Sequence, residues 1–170
     1  MTNFIIAQII GAIALIILII SLQNNSKKRL LTYQMISSLL YALQYFFLKA
    51  NTGCFMNLIC MIRNWIFNRY PKTRPPIYWL IITIIIMVYT SSLSYTGIIS
   101  TLPMIAVVIY SIALWNGNLT KIRITEVISC TLYIIYNIKV LAITGLIATI
   151  IELLGAVFAI YKFDIKGKTN

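Results

Sequence analysis

Apolar residues run along this chain in long blocks and do not alternate with polar ones. From Phe4 to Leu22 almost every position is apolar, enough to cross a hydrocarbon core of about 30 Å as a helix. Six further blocks follow, at 30–48, 52–68, 77–92, 95–115, 122–140 and 143–161, which predicts seven transmembrane helices. Between them, 23–29, 69–76 and 116–121 collect the Asn, Ser, Gly, Pro and basic residues of loops. The second-to-third and sixth-to-seventh links are very short, so each pair predicts an antiparallel hairpin. The fourth block is the shortest and ends in the mildly polar Ser91-Ser92-Leu93-Ser94-Tyr95. A β-barrel is excluded, because runs such as Ile81-Ile82-Thr83-Ile84-Ile85-Ile86-Met87 lack the two-residue alternation of barrel strands.

Composition agrees with this pattern. Hydrophobic residues make up 61% of the 170 positions and charged residues 10%, against about 45–50% and 25% in soluble domains. Lipid is the solvent that tolerates such a surface. The net charge of +11 fits basic cytoplasmic loops better than nucleic acid, since no basic helix stands outside the apolar blocks. With the N-terminus outside and seven crossings, eleven basic residues fall inside and only Lys49 and Lys139 outside. That bias sets the orientation, with the C-terminus cytoplasmic. Trp65, Tyr70, Tyr78, Trp79, Trp115 and Tyr161 fall near the predicted inner ends, as an aromatic belt requires. Lys27-Lys28-Arg29 follow the first block, which lacks a preceding basic residue and a small-residue cleavage pattern, so it reads as a retained helix.

Sliding the sequence by 92 residues aligns the first three blocks with the last three without a gap. Leu22-Gln23-Asn24 meets Leu114-Trp115-Asn116, Ile36-Ser37 meets Ile128-Ser129, and Leu40-Tyr41 meets Leu132-Tyr133. Ala50-Asn51-Thr52-Gly53 meets Ala142-Ile143-Thr144-Gly145. The shared Asn, Ser, Tyr, Thr and Gly indicate a true internal repeat. Two three-helix units in one orientation need an odd number of linking crossings, and the fourth block supplies one. The expected division is 1–70 for the first repeat, 71–94 for the linker helix, and 95–170 for the second repeat with a basic tail.

Ser21-Leu22-Gln23, Lys27-Lys28-Arg29-Leu30-Leu31, Gln34, Leu40-Tyr41-Ala42-Leu43-Gln44-Tyr45-Phe46-Phe47-Leu48, Thr52-Gly53, Asn57-Leu58 and Arg63-Asn64 resemble the YgjV-like family of bacterial inner-membrane proteins. The three-one-three arrangement is similar to the SWEET and PQ-loop (MtN3-like) superfamily. That resemblance implies an all-α membrane fold and a small-solute site between the repeats. It also implies a bacterial plasma-membrane location, with the bilayer and a small polar solute as partners. The chain departs from sugar-carrying SWEETs, which place prolines in the first two helices of each repeat. Only Pro103 stands in such a helix, its repeat partner is Gly11, and there is no Pro-Gln dipeptide. These two positions are the candidate hinges.

Ionisable groups at bilayer depth are costly, so each asks for a reason. Glu152 lies near the middle of the seventh block and Arg63 in the third. They are candidates for an intramembrane ion pair or gate, with Arg63 snorkelling as the alternative. Asn57 matches by resemblance the Asn that faces the cavity in SWEET-like proteins, and Thr149 is its repeat partner. Gln44, Tyr45, Tyr136 and Asn137 add aromatic and amide groups suited to a neutral polar solute. Each also reads as an ordinary interhelical or interfacial group. Glu126, beside Lys121 and Arg123, reads as a cytoplasmic-edge salt bridge or surface group. No histidine is present, and Cys54, Cys60 and Cys130 read as small buried hydrophobes without metal-ligand spacing. No metal, cofactor or nucleic acid is expected, and no catalytic constellation is found. The alternative to a transporter is a non-transporting scaffold, sensor or partner-binding subunit of the same fold.

Overall fold

The computed structural model describes residues 2–47, 51–70, 73–93, 97–139 and 143–166. Among these are seven α-helices and no strand: α1 (Thr2–Leu22), α2 (Lys27–Phe47), α3 (Asn51–Asn68), α4 (Ile77–Ser92), α5 (Leu102–Asn116), α6 (Leu119–Lys139) and α7 (Ile143–Ile160). Six of the seven follow the expected blocks to within three residues. The exception is α5, which starts at Leu102 after a 3₁₀ turn, Ile98–Thr101. The expected start of that block, Tyr95, the end of the sixth, Val140, and Leu48, Lys49, Lys72 and Lys168 lie outside the described residues.

Two units divide the chain, Met1–Trp79 and Leu80–Asn170, with the boundary inside α4. In the first unit α2 lies in the middle, packed by α1 and by α3. The Ser37 hydroxyl donates to the Ala14 carbonyl at 2.8 Å, and Asn68 Nδ2 donates to Thr32 Oγ1 at 3.1 Å. Early α2 therefore meets late α3, and Gln44, later in α2 than Ser37, lies against Gly11, earlier in α1 than Ala14, so both pairs run antiparallel. In the second unit α6 takes the middle place between α5 and α7. There the Ser129 hydroxyl donates to the Ala106 carbonyl at 3.0 Å.

Side-chain size explains the packing of α1. Ala7, Gly11, Ala14 and Ser21 are buried on one stripe, while Ile5, Ile9, Ile13, Ile16 and Ile20 are exposed on another. Small residues let helix backbones approach closely, and the exposed isoleucines need an apolar surrounding. Helix ends follow local chemistry. Gly117, at φ 75°, closes α5 in the left-handed conformation, its N–H donating to the Ala113 carbonyl at 3.1 Å. Asn118 Oδ1 then accepts the Lys121 N–H at 3.0 Å and starts α6.

Among the described residues, three helical segments are long and apolar enough to cross a membrane: Phe4–Leu22, Ile98–Asn116 and Gly145–Ile165; Ile77–Ser92 is apolar and shorter. The expectation of seven such segments is thus met in helix number, while α2, α3, α4 and α6 fall short in length or apolarity. Two of these four are the middle helices. α2 and α6 have 21 residues each, about 31 Å of helix. They carry Lys27, Lys28, Arg29, Gln34 and Gln44, and Lys121, Arg123, Glu126 and Asn137.

Candidate functional site

The polar groups of α6 recur at a helical interval. Arg123, Glu126, Cys130, Tyr133 and Asn137 are spaced by three, four, three and four residues, which places them on one face. Four of them, all but Tyr133, are buried. The stripe extends about 21 Å along the helix. α7 and the π-helical turn after it (Tyr161–Ile165) answer it with Thr149, Glu152, Phe163 and Asp164.

Three polar contacts follow one another down this seam. At one end Asn137 Nδ2 donates to Thr149 Oγ1 at 3.3 Å, and the Thr149 hydroxyl donates to the Gly145 carbonyl at 2.8 Å. A Cβ on Gly145 would stand 3.3 Å from Asn137 Oδ1, so the glycine gives the amide room. In the middle, a carboxylate oxygen from Glu126, one from Glu152 and Cys130 Sγ lie within 4.8 Å of one another. Two carboxylates this close in a low-dielectric setting favour a positive charge held with them. At the other end Arg123 Nη1 pairs with Asp164 Oδ2 at 3.1 Å, and Thr120 Oγ1 donates to Asp164 Oδ1 at 2.6 Å. The Arg123 guanidinium also stacks 4.7 Å from the Phe163 ring centre. Arg123 is 1% exposed, so this is a buried ion pair tying the end of the described chain to the start of α6.

The first unit has a seam of different chemistry. Gln34, Ser38, Tyr41 and Tyr45 share one face of α2, and Asn57, Cys60, Asn64 and Phe67 share one face of α3. Arg63 is buried, and its Nε and Nη2 donate to Asn64 Oδ1 at 3.1 and 3.0 Å. Lys27 Nζ donates to the carbonyls of Tyr70 at 3.1 Å and Thr73 at 3.3 Å, clasping the segment after α3 to the start of α2. Burial lowers the pKa of this ammonium below the ordinary lysine value.

The expected site residues therefore scatter unequally. Asn137 and Thr149 meet. Tyr136 is half-buried on the neighbouring position, and Asn57 and Tyr45 are half-buried in the first unit. Gln44 turns toward α1, since a Cβ on Gly11 would stand 2.6 Å from its Oε1. Gly11 thus allows a close approach, whereas a bend was expected there. Pro103 stands in the first turn of α5, where its missing N–H breaks no helical bond, and not at a mid-helix hinge. Arg63 and Glu152 belong to different units. Glu126, read as a cytoplasmic-edge salt bridge or a surface group, is buried, which corrects the surface half of that reading alone. The Arg123–Asp164 pair and the Glu126–Cys130–Glu152 cluster were missed; the three-four spacing along α6 marks Arg123, Glu126 and Cys130 but not their partners beyond that helix.

The chain belongs to a family of bacterial inner membrane proteins: the Imp-YgjV family model matches residues 5–166. No curated protein and no solved structure matches the chain.

Proposed function

We propose that the chain is a seven-span inner-membrane protein with a SWEET-like plan of three, one and three helices, and that it carries a small polar solute. The observation behind this reading is a pair of hydrogen bonds. Ser37 to Ala14 and Ser129 to Ala106 are separated by 92 residues at both donor and acceptor, the same shift that aligns the sequence. Each middle helix carries a buried polar stripe, which a scaffold with only lipid to face does not need. In the second unit Asn137 and Thr149 present the groups suited to a neutral polar solute, and in the first Asn57 and Tyr45 stand 92 residues earlier.

The basic residues support an N-outside, C-inside orientation. The Lys27 clasp brings Lys28 and Arg29 to the same end of the first unit as Arg69 and Arg74. The Arg123–Asp164 pair brings Lys121 to the same end of the second as Lys162 and Lys166. Each unit gathers most of its positive charge at one end, as the positive-inside rule expects of the cytoplasmic side.

Uptake into proteoliposomes over a panel of sugars, amino acids and vitamins tests the reading. Uptake of one class, abolished by Asn57→Ala with membrane insertion intact, is expected. No uptake of any panel member, or uptake indifferent to Asn57→Ala and Asn137→Ala alike, favours the non-transporting scaffold or sensor.

A further inference from the structure

We infer that the second unit binds one divalent transition-metal ion of the zinc class through Glu126, Cys130 and Glu152. The inference stands apart from solute transport, since it concerns a donor set and not a pathway. The three donors come from two helices, Glu126 and Cys130 from consecutive turns of α6 and Glu152 from α7. Their ligand atoms lie within 4.8 Å of one another, while donors around a tetrahedral zinc ion stand roughly 3.3–3.8 Å apart, given bonds of about 2.0–2.3 Å. The gap left to close is about 1.0–1.5 Å.

The chemistry of the set selects the class of ion. Calcium and magnesium seek six or more oxygen donors. One sulfur and two carboxylate oxygens suit zinc and its neighbours, with a fourth position left for water. Cys130 is 3% exposed. Among the described residues no hydrogen bond engages its thiol, although Ser129 and Thr131 on either side donate to carbonyls. Its sulfur is directed at the two carboxylates. On ligation the thiol proton, and any proton held by the carboxyl pair, leaves to bulk water as metal–sulfur and metal–oxygen bonds form. A dication with two carboxylates and a thiolate leaves one net negative charge. Arg123 stands one turn before Glu126 on the same face, paired with Asp164. Ninety-two residues earlier the corresponding positions hold Gln34, Ser38 and Cys60, a set without carboxylates, so the site belongs to the second unit alone.

The test uses the full chain, purified in detergent, stripped with chelator and titrated with cobalt(II), then zinc. One cobalt per chain is expected, with a sulfur-to-cobalt charge-transfer band that zinc abolishes. Cys130→Ser removes the band, whereas Cys54→Ser and Cys60→Ser keep it. Glu126→Gln and Glu152→Gln each weaken binding about 10-fold or more. Unchanged helical circular dichroism and elution volume establish that each variant is folded. Should one glutamine variant unfold, Cys130→Ser, nearly isosteric, still decides. Failure to bind cobalt stoichiometrically overturns the inference. So does a band that persists in Cys130→Ser.

Discussion

The two units fold by the same helix order and close it with opposite electrostatics. The first holds eight Lys and Arg and no acidic residue; the second holds six and all three acids of the chain. Both fasten the segment after their last helix to the start of their middle helix. The first does so with the Lys27 ammonium on two backbone carbonyls, the second with the buried Arg123–Asp164 pair. Along the seam, Leu31, Gln34, Ser38 and Cys60 stand where Arg123, Glu126, Cys130 and Glu152 stand 92 residues later. The first unit buries Lys27 and Arg63 and contains no carboxylate side chain, so a three-helix unit of this kind forms without an ion pair of its own. The carboxylates of the second unit have no counterpart in the first, which directs attention to their chemistry.

The sharpest way to break that comparison is to give the second unit the first unit's chemistry. Arg123→Leu installs the residue found at position 31. Alone it leaves Asp164 without its guanidinium and Phe163 with only Lys162 over its ring, and should cost about 3–5 kcal/mol, the range for breaking a buried pair from one side. Adding Asp164→Asn should recover most of that loss, because a buried pair replaced by neutral, well-packed groups is often no less stable. Unfolding by denaturant in detergent micelles, monitored by circular dichroism, gives both numbers. If the double variant is as unstable as the single one, the pair is a structural necessity and the two units do not share a plan.

A smaller effect separates the two glycine contacts. Gly11→Ala puts a methyl into the Gln44 amide, 2.6 Å from Oε1. Overpacking of this kind costs about 1–3 kcal/mol, reduced here because a side-chain end is able to turn away and because alanine gains about 0.8–1 kcal/mol in a helix. A net loss near 1 kcal/mol is expected, relieved by Gln44→Ala. Gly145→Ala meets Asn137 at 3.3 Å, needs only a slight shift, and should come out near zero. Melting temperatures of the three variants measure the difference.

How far the sequence alone carries can be read from particular residues. Helix boundaries were legible because the loops hold Gly117-Asn118 and Pro75-Pro76 and the blocks between them are apolar. The start of α5 was not, since the apolar block runs unbroken through the 3₁₀ turn and only Pro103 marks the change. Asn137 and Thr149 were legible as polar groups in apolar helices, and they meet. Glu126 was misread because two basic neighbours in sequence suggested a surface cluster. Helical geometry turns Arg123 and Glu126 inward together and Lys121 outward. Glu152 meets Glu126 only through the packing of α7 on α6, which no spacing within one helix encodes.

The smallest effect bears most directly on the repeat. Ser37 and Ser129 are both buried, and each donates to an alanine carbonyl one helix back, at 2.8 and 3.0 Å. Those carbonyls already accept their own helical N–H groups, so removing the hydroxyl orphans nothing. Serine to alanine also leaves the backbone and most of the side-chain volume in place. Ser37→Ala and Ser129→Ala should therefore each cost about 0.6 kcal/mol, the average for an interhelical hydrogen bond in a membrane protein. The informative quantity is the difference between them. Two positions with the same role in two copies of one plan should lose the same amount to within about 0.5 kcal/mol, whatever the charges around them. A loss at Ser129 several times larger than at Ser37 would mean that the hydroxyl there also supports the Glu126–Cys130 turn beside it, and that the two seams have diverged in structure as well as in charge.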